Sequence, residues 1–262
     1  TIAFDAPGAI DESPAAAAFA ERWGHPHHTL RVCWPDYLAH TADLMRAKQA
    51  PLHAIEVPLY LAAHQARATG VNTLVVGNGA DSTFGGMDKL LSCDWGFEAF
   101  VDRYRFVDAA DVLRHPVDTT PAFEPFRRGD GIDVQGFLHR VHGQGIVQSF
   151  ENAIGAARVA VSAPYEQLEL ADELDLERIR NGEPKYLLQD IFRTLYDTDQ
   201  VPTKVPFARP TDIWFRDWEG PTGREEFRSD LPETLRDASG EAKWLTWCLD
   251  AFCHLLDRGT HA

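Results

Sequence analysis

The sequence predicts an α/β chain, with a doubly wound parallel sheet in its first part and a mainly helical second part. Three observations carry this. Short β-like runs alternate with amphipathic helical runs as far as Val76, giving the β-α-β-α-β order of parallel sheets. Thr73-Leu74-Val75-Val76 is apolar, β-rich and uncharged, which reads as a buried parallel strand. After Gly86 the sheet-like runs stop and helical patterns take over. A soft boundary near residue 90 therefore separates an α/β part (1–90) from a mainly helical part (91–262), with no Gly/Ser linker between them.

The elements follow in order. Thr1–Phe4 is a short strand. Ser13 as N-cap with Pro14 in the first turn opens a helix that Gly24 ends. His25, His27 and His28 follow, without a helical i,i+4 pair or an evident fourth ligand for a metal. Leu30–Trp34 alternates as a second strand. Asp36–Lys48 and Val57–Thr69 are amphipathic helices, the first with Tyr37, Leu44 and Met45 inward, the second with Leu59, Leu61 and Ala62 inward and Gly70 as its stop. In the second part, helices are expected over Phe97–Arg105, Ala109–Arg114, Ile132–His142, Ile146–Ala157, Leu168–Leu174 and from Pro184 to about Tyr196. Glu241–Leu256 closes the chain as an amphipathic helix, with Leu245, Cys248, Leu249, Phe252 and Leu256 on one face. That face is expected to dock on the body, and it is also compatible with a homodimer.

Composition narrows the function. The 262 residues carry a formal charge of −15, which repels phosphate backbones and speaks against a nucleic-acid partner. No apolar run approaches the ~18 residues of a membrane span. Cys33, Cys93, Cys248 and Cys253 form no CxxC pair and read as reduced, small core residues of a cytoplasmic protein. The chain opens on Thr1, inside a strand and without an initiator Met or signal peptide, as expected of a fragment or processed product.

The strand at Thr73–Val76 breaks into Gly77, Gly79, Gly85 and Gly86. Glycines at this point permit turns closed to other residues and let backbone N–H groups approach a ligand. The carboxyl ends of such strands are where open α/β sheets bind ligands. Asp81 in this loop suits Mg²⁺, a hard, oxygen-seeking cation. The alternative is an ordinary turn whose Asp caps the next helix.

Val75–Gly86, V-V-G-N-G-A-D-S-T-F-G-G, resembles the L-S-G-E-G-A-D-E-L-F-G-G signature of glutamine-dependent asparagine synthetases and relatives such as β-lactam synthetases. It keeps G-x-G-A-D and F-G-G but has Val76 for Ser, Asn78 for Glu and Ser82 for Glu. The opening block, from F-D at Phe4 to H-H-T, and the Gln49–Val71 block are similar to the same family, with Gln49 near a position that is often acidic there. Arg158–Tyr165 is similar to the family's G-x-E-V-R-x-P-F-L-D, with Ser162 at its Arg and Gln167 at its Asp. Lys185 falls on the catalytic lysine and Gln189 on a following Arg. Val201-Pro202 and Arg209–Phe215 resemble a further motif, which keeps Arg209 and has Thr211 at a basic position; Trp214, Phe215 and Trp218 are expected to pack. The resemblance places Thr1 at the family's second strand. The strand before it, the S-G-G-L-D-S pyrophosphate loop and the first helix have no counterpart in this sequence.

The resemblance implies an adenine nucleotide alpha-hydrolase-like fold and an ATP-dependent, amide-forming ligase. Such enzymes adenylate a carboxylate, release pyrophosphate and let an amine attack. ATP and Mg²⁺ are the implied cofactors, with Phe4, Gly77, Gly79 and Asp81 at the nucleotide and Asp81 on the metal. Lys185 and Asn78 stand at the catalytic positions, and Ser162 and Arg209 at the substrate. The implied partners are a small, aspartate-like carboxylic acid, an amine donor, and a glutaminase domain or partner chain. Three readings stand: an active asparagine-synthetase-like ligase with a retuned substrate, a degenerate relative acting as a binding or partner subunit, and a nucleobase thiolase or deaminase of the same ATPase type. Asn is neutral and cannot take the proton that Glu takes, which favours the second; the charge and the missing CxxC pair disfavour the third.

Overall fold

The parallel strands form as short pairs. In the computed structural model, which describes residues 1–201 and 207–259, β1 (Ile2–Phe4) pairs in parallel with β2 (Leu30–Val32), and β3 (Thr73–Val75) pairs in parallel with β6 (Ala160–Ser162). Between them run α1 (Ser13–Arg22), α2 (Trp34–Lys48), α3 (Glu56–Ala68), α4 (Phe97–Tyr104) and α5 (Ala109–Val112). A two-residue antiparallel ladder, β4 (Arg127–Arg128) with β5 (Gly131–Ile132), precedes α6 (Val134–Phe137) and α7 (Gln144–Ala156). After β6 come α8 (Leu176–Arg180), α9 (Tyr186–Tyr196), α10 (Thr211–Trp214), α11 (Leu231–Arg236) and α12 (Gly240–Gly259). The architecture is mixed α/β with small parallel sheets. Among the described residues the two parallel pairs do not join into one continuous, doubly wound sheet. Pro202 lies outside the described residues.

Several elements begin or end differently from expectation, each for a local reason. Ser13 is the first residue of α1 rather than its cap, because the Asp11 carboxylate accepts the Ser13 N–H at 2.9 Å. α2 starts two residues early, since Asp36 reaches back to the Cys33 N–H at 2.8 Å. Gly24 and Gly70, at φ +67° and +89°, end α1 and α3 as expected. α6 and α7 are not separate helices. Leu138–Gly143 joins them through a wide, π-helical turn. Residues 168–174 form no helix; α8 starts only at Leu176, where Asp175 caps it through the Arg178 N–H. Cys93 is exposed rather than a core residue.

Thr73–Val75 is a parallel strand, but not a buried one: Val75 is 73% exposed. Leu74 and Val76 pack with Leu59, Ala63, Ala153 and Ile154 of α3 and α7, which covers one face. Among the described residues the other face stays bare. β1 and β2 differ, with Ala3, Phe4 and Val32 buried against α2, α3, α10 and α12. In that core Tyr37 donates its hydroxyl to Ala54 O at 2.6 Å, and Trp244 donates its indole N–H to Leu52 O at 3.2 Å. Each polar handle is satisfied, so each ring is buried without an orphaned donor. Of the expected docking face of α12, Cys248, Leu249 and Phe252 pack inward, joined by Trp244, Trp247, Ala251 and Leu255, while Leu245 and Leu256 point outward. Trp214, Phe215 and Trp218 pack as expected. Trp244, fully buried, and Trp247, packed beside it, are the two largest apolar side chains in that stretch, and burying them removes most surface from water, which turns the helix to that side. Among the described residues no helix is long and apolar enough to cross a membrane.

Candidate functional site

The carboxyl ends of β3 and β6 carry the site. The ladder runs one bond further, from Val76 N to Ser162 O at 2.9 Å, and both chains then turn away. Residues 77–86 fold into consecutive turns, with Thr83 N donating to Gly79 O at 2.8 Å and Gly86 N to Asp81 O at 3.1 Å. Two glycines are required here by space. A Cβ on Gly79, at φ +93°, would lie 2.7 Å from the Glu166 N and the Tyr165 carbonyl carbon. A Cβ on Gly86 would overlap the Asp81 carboxylate and the Lys185 side chain.

Lys185 therefore meets the loop from the far half of the chain. Its Nζ lies 2.9 Å from Asp81 Oδ1, with the lysine side chain 24% and the aspartate side chain 47% exposed. Lys185 precedes α9 with φ +55°, a left-handed conformation uncommon outside glycine and costing on the order of 1 kcal/mol or more. Surface ion pairs contribute about 0–1 kcal/mol, so the pair does not by itself offset that strain. Gln189, at the family's Arg position, instead turns back and donates to Pro184 O at 2.7 Å, bracing the start of α9.

Asn78 is half-buried, and among the described residues its buried side-chain N–H₂ has no hydrogen-bond partner. Such a group costs roughly 1–3 kcal/mol when left unmade, which makes it a donor waiting for an acceptor. Ser162 ends β6, opposite Val75. So Gly77, Asn78, Gly79, Asp81, Lys185 and Ser162 come together at one end of the β3–β6 pair.

Phe4 and Arg209 make their contacts in the aromatic core and at α12. The Phe4 ring is 6% exposed and packs 5.4 Å from Phe207 and 5.9 Å from Trp214, at the carboxyl end of β1. The Arg209 guanidinium is taken up by Glu241 at the start of α12, with Nε–Oε1 at 2.9 Å. It ties α12 to the chain before α10.

Sequence reasoning missed the polar groups behind the loop. The wide turn brings His139 to Thr83 at 3.3 Å and His142 to the Tyr104 hydroxyl at 2.9 Å. Burial lowers the His142 pKa, while the nearby Asp81 charge opposes that shift. Burial pushes Tyr104 up to about 12. Glu166 Oε1 accepts from the Ser82 hydroxyl at 3.3 Å. The sequence placed Tyr104, His139 and His142 in expected helices and Glu166 directly after the Arg158–Tyr165 motif; nothing in spacing tied His139 or Glu166 to the glycine loop.

The residues fit a nucleotide with Mg²⁺. Gly77 has open space around it for close backbone approach, and Asp81 is a hard oxygen ligand beside a fixed cation. Among the described residues no three His, Cys, Asp or Glu gather into a metal-holding group. A single carboxylate suits Mg²⁺, which takes most of its ligands from phosphate and water. A family model described as asparagine synthase matches residues 1–230 of the chain. No curated protein matches it.

Proposed function

The chain belongs to the asparagine synthase family, a family of ATP-dependent amide-forming synthetases, and from that premise we propose that it adenylates a small carboxylic acid and passes the acyl group to an amine. The observation that carries this is the Lys185–Asp81 pair at 2.9 Å inside a loop whose Gly86 leaves room for nothing larger. Gly77 and Gly79 offer backbone amides to the phosphates. Lys185 supplies a compact, mobile positive charge for the charge that builds on phosphorus and on departing pyrophosphate. Mg²⁺ held by Asp81 would neutralise the phosphate oxygens. Before nucleotide arrives the two side chains hold each other in place; afterwards each has its own target. In this reading the Asn78 N–H₂ donates to the acyl oxygen rather than acting as a base, and Ser162 offers a hydroxyl to the acid. A glutaminase domain or partner chain would supply the amine.

The test is acid-dependent exchange of pyrophosphate into ATP by the full-length protein, over a panel that includes L-aspartate and L-glutamate. Exchange that falls at least 100-fold in Lys185→Ala supports the reading, given what single transition-state contacts contribute. No exchange with any acid, alongside unimpaired folding, would instead support the second reading, a binding or partner subunit. Asn78 in place of the family's Glu is the observation that favours that reading.

A further inference from the structure

Against the signature loop lies an acidic cavity. It measures about 380 Å³ and is lined by His139, Gln144, Val147, Gln148, Glu151 and Glu166. Three elements build it. His139 comes from the wide turn and is steadied by Thr83. Gln144, Val147, Gln148 and Glu151 line one side of α7, at the i, i+3, i+4, i+7 spacing that puts residues on a common helix face. Glu166 comes from the turn after β6. No lysine or arginine lines the cavity among the described residues, so it carries two carboxylates and accepts positive charge.

The two carboxylates are not equivalent. Glu151 is exposed on α7. Glu166 is half-buried, oriented by the Ser82 hydroxyl, and its backbone N lies 2.7 Å from where a Cβ on Gly79 would stand. It thus sits against the loop, at the carboxyl end of β6, where open α/β sheets place their ligands. Ser82, which holds Glu166, directly follows Asp81, which holds Lys185. One loop has an acidic side and a phosphate side.

Resting on the ligase reading, we propose that this cavity binds the protonated amine substrate and that Glu166 is the catalytic residue accepting its proton, a role that Asn78 cannot fill. The ammonium gives one proton to the Glu166 carboxylate, which frees the nitrogen lone pair. That pair forms the C–N bond to the acyl carbon of the acyl-adenylate. The C–O bond to the phosphate breaks, and its electrons leave with AMP. The second nitrogen proton passes to solvent through the open mouth of the cavity. The other titratable groups facing Glu166 are His139 from the wide turn and Glu151 from α7; the loop faces it with Ser82.

The experiment separates adenylation from amide formation in the full-length protein, using an acid that supports pyrophosphate exchange. Ammonium and hydroxylamine serve as amine probes, the second already neutral at pH 7. In Glu166→Gln, exchange stays within about 2-fold, while amide formation from ammonium at pH 7 falls by about 100-fold or more, the usual range for a lost proton acceptor. The deficit shrinks about tenfold per pH unit as ammonium deprotonates, and hydroxamate formation loses less than about tenfold. Glu151→Gln raises the amine KM with kcat retained. A Glu166→Gln protein with unchanged amide formation overturns the proposal. So does equal loss with both probes at every pH, or a kcat loss confined to Glu151→Gln. Absence of exchange in the wild-type protein overturns the ligase reading itself, and this inference with it.

Discussion

The β1–β2 and β3–β6 pairs are each three residues long and parallel, yet their carboxyl ends carry opposite kinds of side chain. Phe4 at the end of β1 runs into Phe207, Trp214 and the Trp34–Tyr37–Trp244 cluster. β3 runs into glycines, Asn78 and the Asp81–Lys185 pair. The first end is closed by aromatic area, with the Tyr37 hydroxyl and the Trp244 indole N–H paired. The second is held open by missing Cβ atoms and by charges. The same local topology thus serves as an anchor on one side and as a site on the other, and the choice is made by the few residues after each strand.

The largest effect that would test this contrast is Trp244→Ala. Trp244 is fully buried, and its removal should cost about 3–5 kcal/mol in denaturant unfolding. A cost below about 1 kcal/mol would mean that the aromatic end is no anchor. Gly86→Ala is the counterpart at the other end. The new methyl must push Asp81 and Lys185 apart, so ATP affinity should fall at least tenfold while stability drops by only about 1–3 kcal/mol. Unchanged affinity in calorimetry would remove the steric argument for the site.

The anchor end should also be the acid-sensitive one. His53, between α2 and α3, has its pKa lowered from 6.5 to about 4, chiefly by burial and then by Arg209 and Lys48. The unfolded chain binds this proton more readily than the folded one between those values. This contribution to stability is therefore present above pH 6.5 and is lost as pH falls toward 4, by about 2 kcal/mol after allowance for partial exposure. His53→Asn should flatten the decline of Tm between pH 6.5 and 4 relative to wild type. Parallel curves would refute it. The smallest effect lies on the strands. Val75→Ala, at a 73% exposed position, should change stability by under about 0.5 kcal/mol. Val32→Ala, at a fully buried one, should cost about 2 kcal/mol.

Much of this contrast was legible in the sequence, though unevenly. The break from Val76 into glycines marked the site, and Lys185 was legible through its motif. The partnership of Lys185 with Asp81 was not, because contacts between distant segments leave no periodicity. Val75 misled because a β-branched, uncharged run looks the same whether one face or both are covered. Phe4 was assigned to the nucleotide by motif, and the aromatic residues near 207–214 that engage it come from a segment whose spacing gives no sign of where it returns. The wide turn at Leu138–Gly143, which supplies His139 and His142, has no sequence marker comparable to a proline or a capping box. Glu166 stayed hidden because its hydrogen bond with Ser82 joins segments far apart in the chain.

The most direct measurement is a calorimetric titration of the full-length protein with ATP and Mg²⁺, beside Asp81→Ala and Phe4→Leu. The account predicts saturable binding that Asp81→Ala abolishes and Phe4→Leu leaves within about 2-fold. Binding that survives Asp81→Ala, or that is lost in a folded Phe4→Leu protein, would move the site to the other strand pair and contradict the account.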